Sequence, residues 1–167
     1  MKKVYQLALI SAISLCGLSF VVSSVEAGKV TQEEILEAKT TFQAIKKASG
    51  KAKTSEYAVS KAKFKGLKAR YNFEQAEDLL QAKDDNKISA YLSARKEQLN
   101  TSFTKAKNRP EKTFKQDKVT KLETELEQIG NALNGDASKR ISYVEGRSKS
   151  AANRMSKMEK KLANSKK

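Results

Sequence analysis

The chain has 167 residues and a formal charge of +15 at neutral pH, from 34 Lys and Arg against 19 Asp and Glu. It contains no His, no Trp, one Cys and one Pro. These counts exclude a His-ligated zinc or haem site, a Ser–His–Asp triad and an internal disulfide, and they disfavour a turn-rich β-sandwich.

Residues 1–27 read as an address. Lys2 and Lys3 precede an uncharged run from Leu7 to Val22, followed by Ser23-Ser24-Val25-Glu26-Ala27. A basic start, an apolar run and small residues form the pattern of a bacterial secretory signal peptide. Val25 and Ala27 fit the positions before a signal-peptidase cut, so cleavage is expected between Ala27 and Gly28. Two alternatives compete. Cys16 could be a lipoprotein cysteine, although Leu15 stands where a small residue belongs. The leader could also stay as an anchor, although its apolar run is shorter than the ~20 residues that span a bilayer comfortably. After cleavage the expected chain is one helical domain, 28–167, with a charge of +14, no Cys and a basic tail at 164–167.

Five helices are predicted. Thr31-Gln32-Glu33-Glu34 forms a capping box, and Ile35, Ala38, Phe42 and Ile45 step by threes and fours. This predicts helix over 31–49, ended by Ser49-Gly50. Thr54 or Ser55 caps a second helix over 55–84, with a stripe of Ala62, Gly66, Ala69, Phe73, Ala76 and Leu80. Tyr57, Phe64 and Tyr71 form another stripe at sevens, read as helix packing rather than base or sugar stacking. Asp84-Asp85-Asn86 reads as a break and a cap.

The third helix, 87–107, carries Ile88, Leu92, Leu99 and Ala106. Arg95 interrupts its stripe. Pro110 follows the helix, since the residue before a proline avoids the helical region. The fourth, 111–133, has Val119, Leu122, Leu126, Ile129 and Leu133. Asn134-Gly135-Asp136 supplies a stop, a turn and a new cap. The fifth, 137–163, has Ile141, Val144, Ser148, Ala151, Met155, Met158 and Leu162. Short connectors predict an all-α antiparallel bundle. The competing architecture is an extended coiled coil that completes its core by oligomerising.

Two resemblances lie along these helices. Phe73-Glu74-Gln75-Ala76-Glu77-Asp78-Leu79-Leu80 resembles part of one tetratricopeptide repeat, with Lys83 where that repeat has a small residue. The Ala-periodic region from Glu56 to Lys107 resembles alanine-rich helical segments of bacterial envelope proteins. Both imply helix, and neither implies an activity.

Charge is segregated. Residues 50–70 carry +6, 71–100 carry −2, 101–121 carry +5, 122–136 carry −4 and 137–167 carry +8. Antiparallel folding would gather the basic segments at one pole, with Lys46 and Lys47, and the acidic segments at the other. The helix dipole accounts for helices one and five but not for two and four. The bland alternative is that the lysines are simply solvated faces. The candidate polyanion-binding residues are Lys61, Lys65, Lys68, Arg70, Lys105, Lys107, Arg109, Lys112, Lys115, Lys157, Lys160 and Lys161.

Little in the chain suits catalysis. Asp84 and Asp85 read as caps, and Glu123, Glu125 and Glu127 share no helical face that would cage a metal. Met155 and Met158 read as core filler rather than a copper site. No enzyme and no cofactor are expected. The leading expectation is an exported, periplasmic or secreted, binding protein that holds an anionic polymer or lipid headgroup. The alternatives are a periplasmic holdase chaperone for unfolded clients and a coiled-coil envelope spacer, with a homo-oligomer possible in either case.

Overall fold

A computed structural model describes residues 28–50, 54–110 and 115–165. The leader with its cleavage residue Ala27, Cys16 and the candidate Lys112 lie outside the described residues. The chain is all-α. Its helices are α1 (Gln32–Ala48), α2 (Ser55–Ala82), α3 (Asp85–Lys107), α4 (Gln116–Leu133) and α5 (Ala137–Asn164), with no strand among the described residues.

Local chemistry sets most of the boundaries. Thr31 and Glu34 form the reciprocal capping box, each binding the other's backbone N–H. Thr54 caps α2 through the N–H of Tyr57, and Asp136 caps α5 through that of Lys139. Gly50, at φ +55, takes the left-handed conformation that follows many helix ends. The α2–α3 break differs from the sequence expectation. Lys83 takes the left-handed conformation and ends α2 two residues early. Asp84 then accepts from the N–H groups of Asn86 and Lys87, so α3 begins at Asp85 instead of residue 87. Helix α4 begins at Gln116 rather than 111, and Lys115 at its N-cap makes no side-chain cap bond.

Helix α2 packs most extensively on α5, followed by α1 on α2 and α3 on α4; α5 also meets α3 and α4. The α2–α5 pair is antiparallel. A β-carbon on Gly66 would lie 3.6 Å from Met158 Cβ, and near the other end Ser148 Oγ donates to Glu77 Oε1 at 2.6 Å. The α1–α2 pair is antiparallel too, since Gln32 reaches Tyr71 while Phe42 lies against Phe64 and Tyr57. The sevens stripe of aromatics is therefore used in packing, at Tyr57, Phe64 and the hydroxyl of Tyr71.

The best-buried side chains are Ile88, Leu92, Ile129 and Val144. Ile88, Leu92 and Val144 join Ala76 and Ala132 in one cluster where α2, α3, α4 and α5 meet. Away from it the α2–α5 seam is lined by Ala62, Ala69, Ala151 and Met158, all buried. Small side chains let these helices approach closely but remove little apolar area from water. Helix α1 has no fully buried residue; Ile35, Ala38, Phe42 and Ile45 form its half-buried face.

Candidate functional site

Carboxylates near the helix junction are held by cations. Lys29 binds Asp78 at 2.6 Å, Arg70 binds Glu74 at 2.8 Å, and Arg140 binds Asp85 at 2.6 Å. Glu74 also accepts from the N–H of Val30. These contacts use the acidic end of α2 and the first turn of α3.

The candidate cations fall into different groups. Arg70 is ion-paired with Glu74. Lys61 and Lys65 instead share a groove of about 500 Å³ with Lys161, floored by Tyr57, Ala62 and Met158. Lys61 lies 5.3 Å from the Tyr57 ring centroid, within cation–π range. Lys157 and Lys160 are exposed on the same last turns of α5. The end of α1, with Lys46 and Lys47, reaches the start of α2 through the Phe42–Tyr57 contact.

Lys105, Lys107, Arg109 and Lys115 are exposed where α3 ends and α4 begins. Lys107 covers the Phe103 ring at 4.7 Å. Helices α3 and α5 start side by side at Asp85 and Arg140. They run the same way past Arg95 and Arg147, which both bind Glu125 Oε1. Both basic groups thus lie away from the Asp85–Arg140 junction, one tip where α2 begins and α5 ends and one where α3 ends and α4 begins. None of Lys61, Lys65, Lys105, Lys107, Arg109, Lys115, Lys157, Lys160 and Lys161 has a carboxylate within ion-pairing distance among the described residues.

Lys68 stands apart from both tips. It lines a groove between α1, α2 and α3 together with Lys39 and Arg95. Burial pushes its ammonium below the ordinary lysine value, and the positive charges of Arg95, Lys39, Arg154 and Arg147 add to that push. Arg95 donates to Glu125 at 2.9 Å and Arg147 donates to the same oxygen at 2.8 Å. The Nε of Arg95 is buried without an acceptor, as is the hydroxyl of Tyr143.

Glu125 is the residue that sequence reasoning undervalued. It is part-buried and joins α3, α4 and α5, while Glu123 and Glu127 are exposed. The available signal was Arg95, a charge on an otherwise apolar stripe, which requires a partner from another helix.

No group of three or more His, Cys, Asp or Glu among the described residues could hold a metal. No helix among them is long and apolar enough to cross a membrane. Comparison of the chain with protein families, curated proteins and solved structures finds no match.

Proposed function

We propose that this chain is an exported, non-enzymatic binding protein, periplasmic or secreted, that holds an anionic polymer of the cell envelope or of a host surface on its lysine-rich tips. One observation carries the reading: the lysines at the two tips have no carboxylate partner among the described residues, while Asp78, Glu74 and Asp85 are ion-paired. Unneutralised like charges repel one another, so gathering them costs stability that a bound polyanion would return. Lysine supplies compact, strongly hydrated point charge, which suits loose attraction to sulfates or phosphates more than bidentate recognition. The leader supports the location, because it would carry the chain away from cytoplasmic nucleic acid.

The test is retention on an immobilised sulfated polysaccharide across a salt series. The wild-type chain should elute at a salt concentration well above physiological. The triple variant K61Q/K65Q/K161Q should bind more weakly and lower the slope of log affinity against log salt by roughly two to three. Retention independent of salt would overturn the reading.

A further inference from the structure

The groove between α1, α2 and α3 is distinct from the lysine-rich tips and does not depend on their function. It encloses about 720 Å³, a size found in sites for small molecules. Along α2 its lining runs from Phe64 to Gln75, about 16 Å at the helical rise. Ile35 and Leu36 of α1, Phe64 of α2 and Tyr91 of α3 give it apolar surface. Leu36 is 60% exposed, an unusual openness for a large aliphatic side chain in this molecule.

Cations from three helices interrupt this apolar trough. Lys39 and Lys68 have no carboxylate within ion-pairing distance among the described residues. Arg95 keeps an Nε–H without an acceptor. Glu33, at the α1 start, is the only carboxylate in the lining among the described residues. A purely apolar occupant would bury Lys39 and Lys68 unpaired, and a purely charged polymer would leave the trough wet. The chemistry that satisfies both is an alkyl chain ending in an anion.

We propose that this groove binds a single-chain anionic amphiphile. Its carboxylate or phosphate would lie at Lys39, Lys68 and Arg95, and its chain along Ile35, Leu36, Phe64 and Tyr91. Burial, and then the nearby charges of Arg95 and Lys39, lower the proton affinity of Lys68, and an anion at this place would offset both.

Calorimetric titration below the micellar concentration tests this with laurate, dodecyl phosphate, inorganic phosphate and dodecyltrimethylammonium. Laurate or dodecyl phosphate should bind one per chain, and the tighter of the two identifies the headgroup. K68Q and K39Q should each weaken binding tenfold or more, and so should L36D. All three positions are exposed, so the variants should fold, which circular dichroism verifies. The K61Q/K65Q/K161Q variant should bind laurate like wild type, so failure of the polysaccharide reading and failure of this one are separable. Equal binding of the cationic detergent would overturn the proposal. So would inorganic phosphate binding as tightly as dodecyl phosphate, or unchanged laurate affinity in both K68Q and L36D.

Discussion

Arg140 grips Asp85 with two parallel bonds, Nε to Oδ1 at 2.7 Å and Nη2 to Oδ2 at 2.6 Å. The pair ties the first turn of α5 to the first turn of α3, across 55 residues of sequence. The same guanidinium donates through Nη1 to the carbonyl of Gly135 at 2.6 Å, which fastens the α4–α5 turn. One planar group therefore joins the start of α3, the start of α5 and the α4–α5 turn. Lysine could not reproduce that fork.

The Arg140–Asp85 pair should make stability sensitive to acid. The hydrogen bond from Arg140 is the main cause that holds the Asp85 carboxyl below the ordinary carboxylate range, opposed by desolvation and aided by the charge of Arg140. A lowered folded-state value means that the contribution is present above the unfolded value of about 3.9 and is lost as pH falls through the lower folded value. D85N and R140K should both lower the thermal midpoint at pH 7. D85N should also melt less differently from wild type below about pH 3 than at pH 7. Thermal denaturation followed by circular dichroism at the two pH values measures this, and an equal deficit at both would exclude the pair as its source.

Stability should concentrate at the junction rather than at the tips. Leu92 is 0% exposed and packs in the cluster with Ala76, Ile88, Ala132 and Val144. L92A should cost about 2–5 kcal/mol, the range for emptying a well-packed aliphatic site. L36A, at an open position, should stay within about 0.5 kcal/mol of wild type. Urea denaturation gives both values, and equal losses would mean that the four-helix junction is not the core.

The features that were legible in the sequence are those written within a few residues of one another. The Thr31–Glu34 box, the Asp136 cap and the buried Ile88, Leu92 and Val144 follow from spacing alone. The expected α3 start lies two residues late because Asp84, Asp85 and Asn86 are all residue types that cap helices. Only tertiary structure separates the cap from the residue that meets Arg140. Arg95 looked like a flaw in its stripe, and its partner Glu125 lies 30 residues further along on another helix. Among the candidates on α2, Lys61 and Lys65 line one groove while Lys68 and Arg70 have other surroundings. Glu74 takes Arg70, and Lys68 faces a groove that only the placement of α1 and α3 creates.

Tyr143 should ionise late and do nothing useful with its hydroxyl. Burial pushes its phenol up to about 12, with Glu125 adding to the rise and Arg147 opposing it. In a raised-value group the stabilising contribution is complete below the unfolded value near 10 and is lost as pH rises toward 12. The phenolate absorbance of one tyrosine should therefore appear last in an alkaline titration, and it should vanish in Y143F. Because the hydroxyl is buried without a partner, Y143F should match or exceed wild-type stability, by up to about 1 kcal/mol. A loss of more than that would reveal a hydrogen bond to solvent.

Gly66 sits in the interior of α2, where glycine costs about 0.5–1 kcal/mol relative to alanine. A β-carbon there would meet Met158 Cβ at 3.6 Å, an ordinary contact. G66A should therefore stabilise the chain by roughly that amount, while G66L should push α2 and α5 apart and destabilise it. Denaturant midpoints for the two variants read the result. If G66A were destabilising, the seam would be closer than its side chains indicate.

Lys68 should carry a cost of its own. Its ammonium is disfavoured first by burial and then by Arg95, Lys39, Arg154 and Arg147. The folded value lies below the unfolded one near 10.5, so the folded state binds that proton less tightly. The penalty is then complete at neutral pH, shrinks as pH rises through the folded value, and is gone above 10.5, where neither state is charged. K68M should stabilise the fold at pH 7, by roughly 0.5 kcal/mol or less, since the residue stays open to solvent along the groove. The gain should fall in high salt, because added ions screen the four neighbouring charges. A gain that persisted unchanged in high salt would trace to the apolar contact of methionine rather than to removal of the charge.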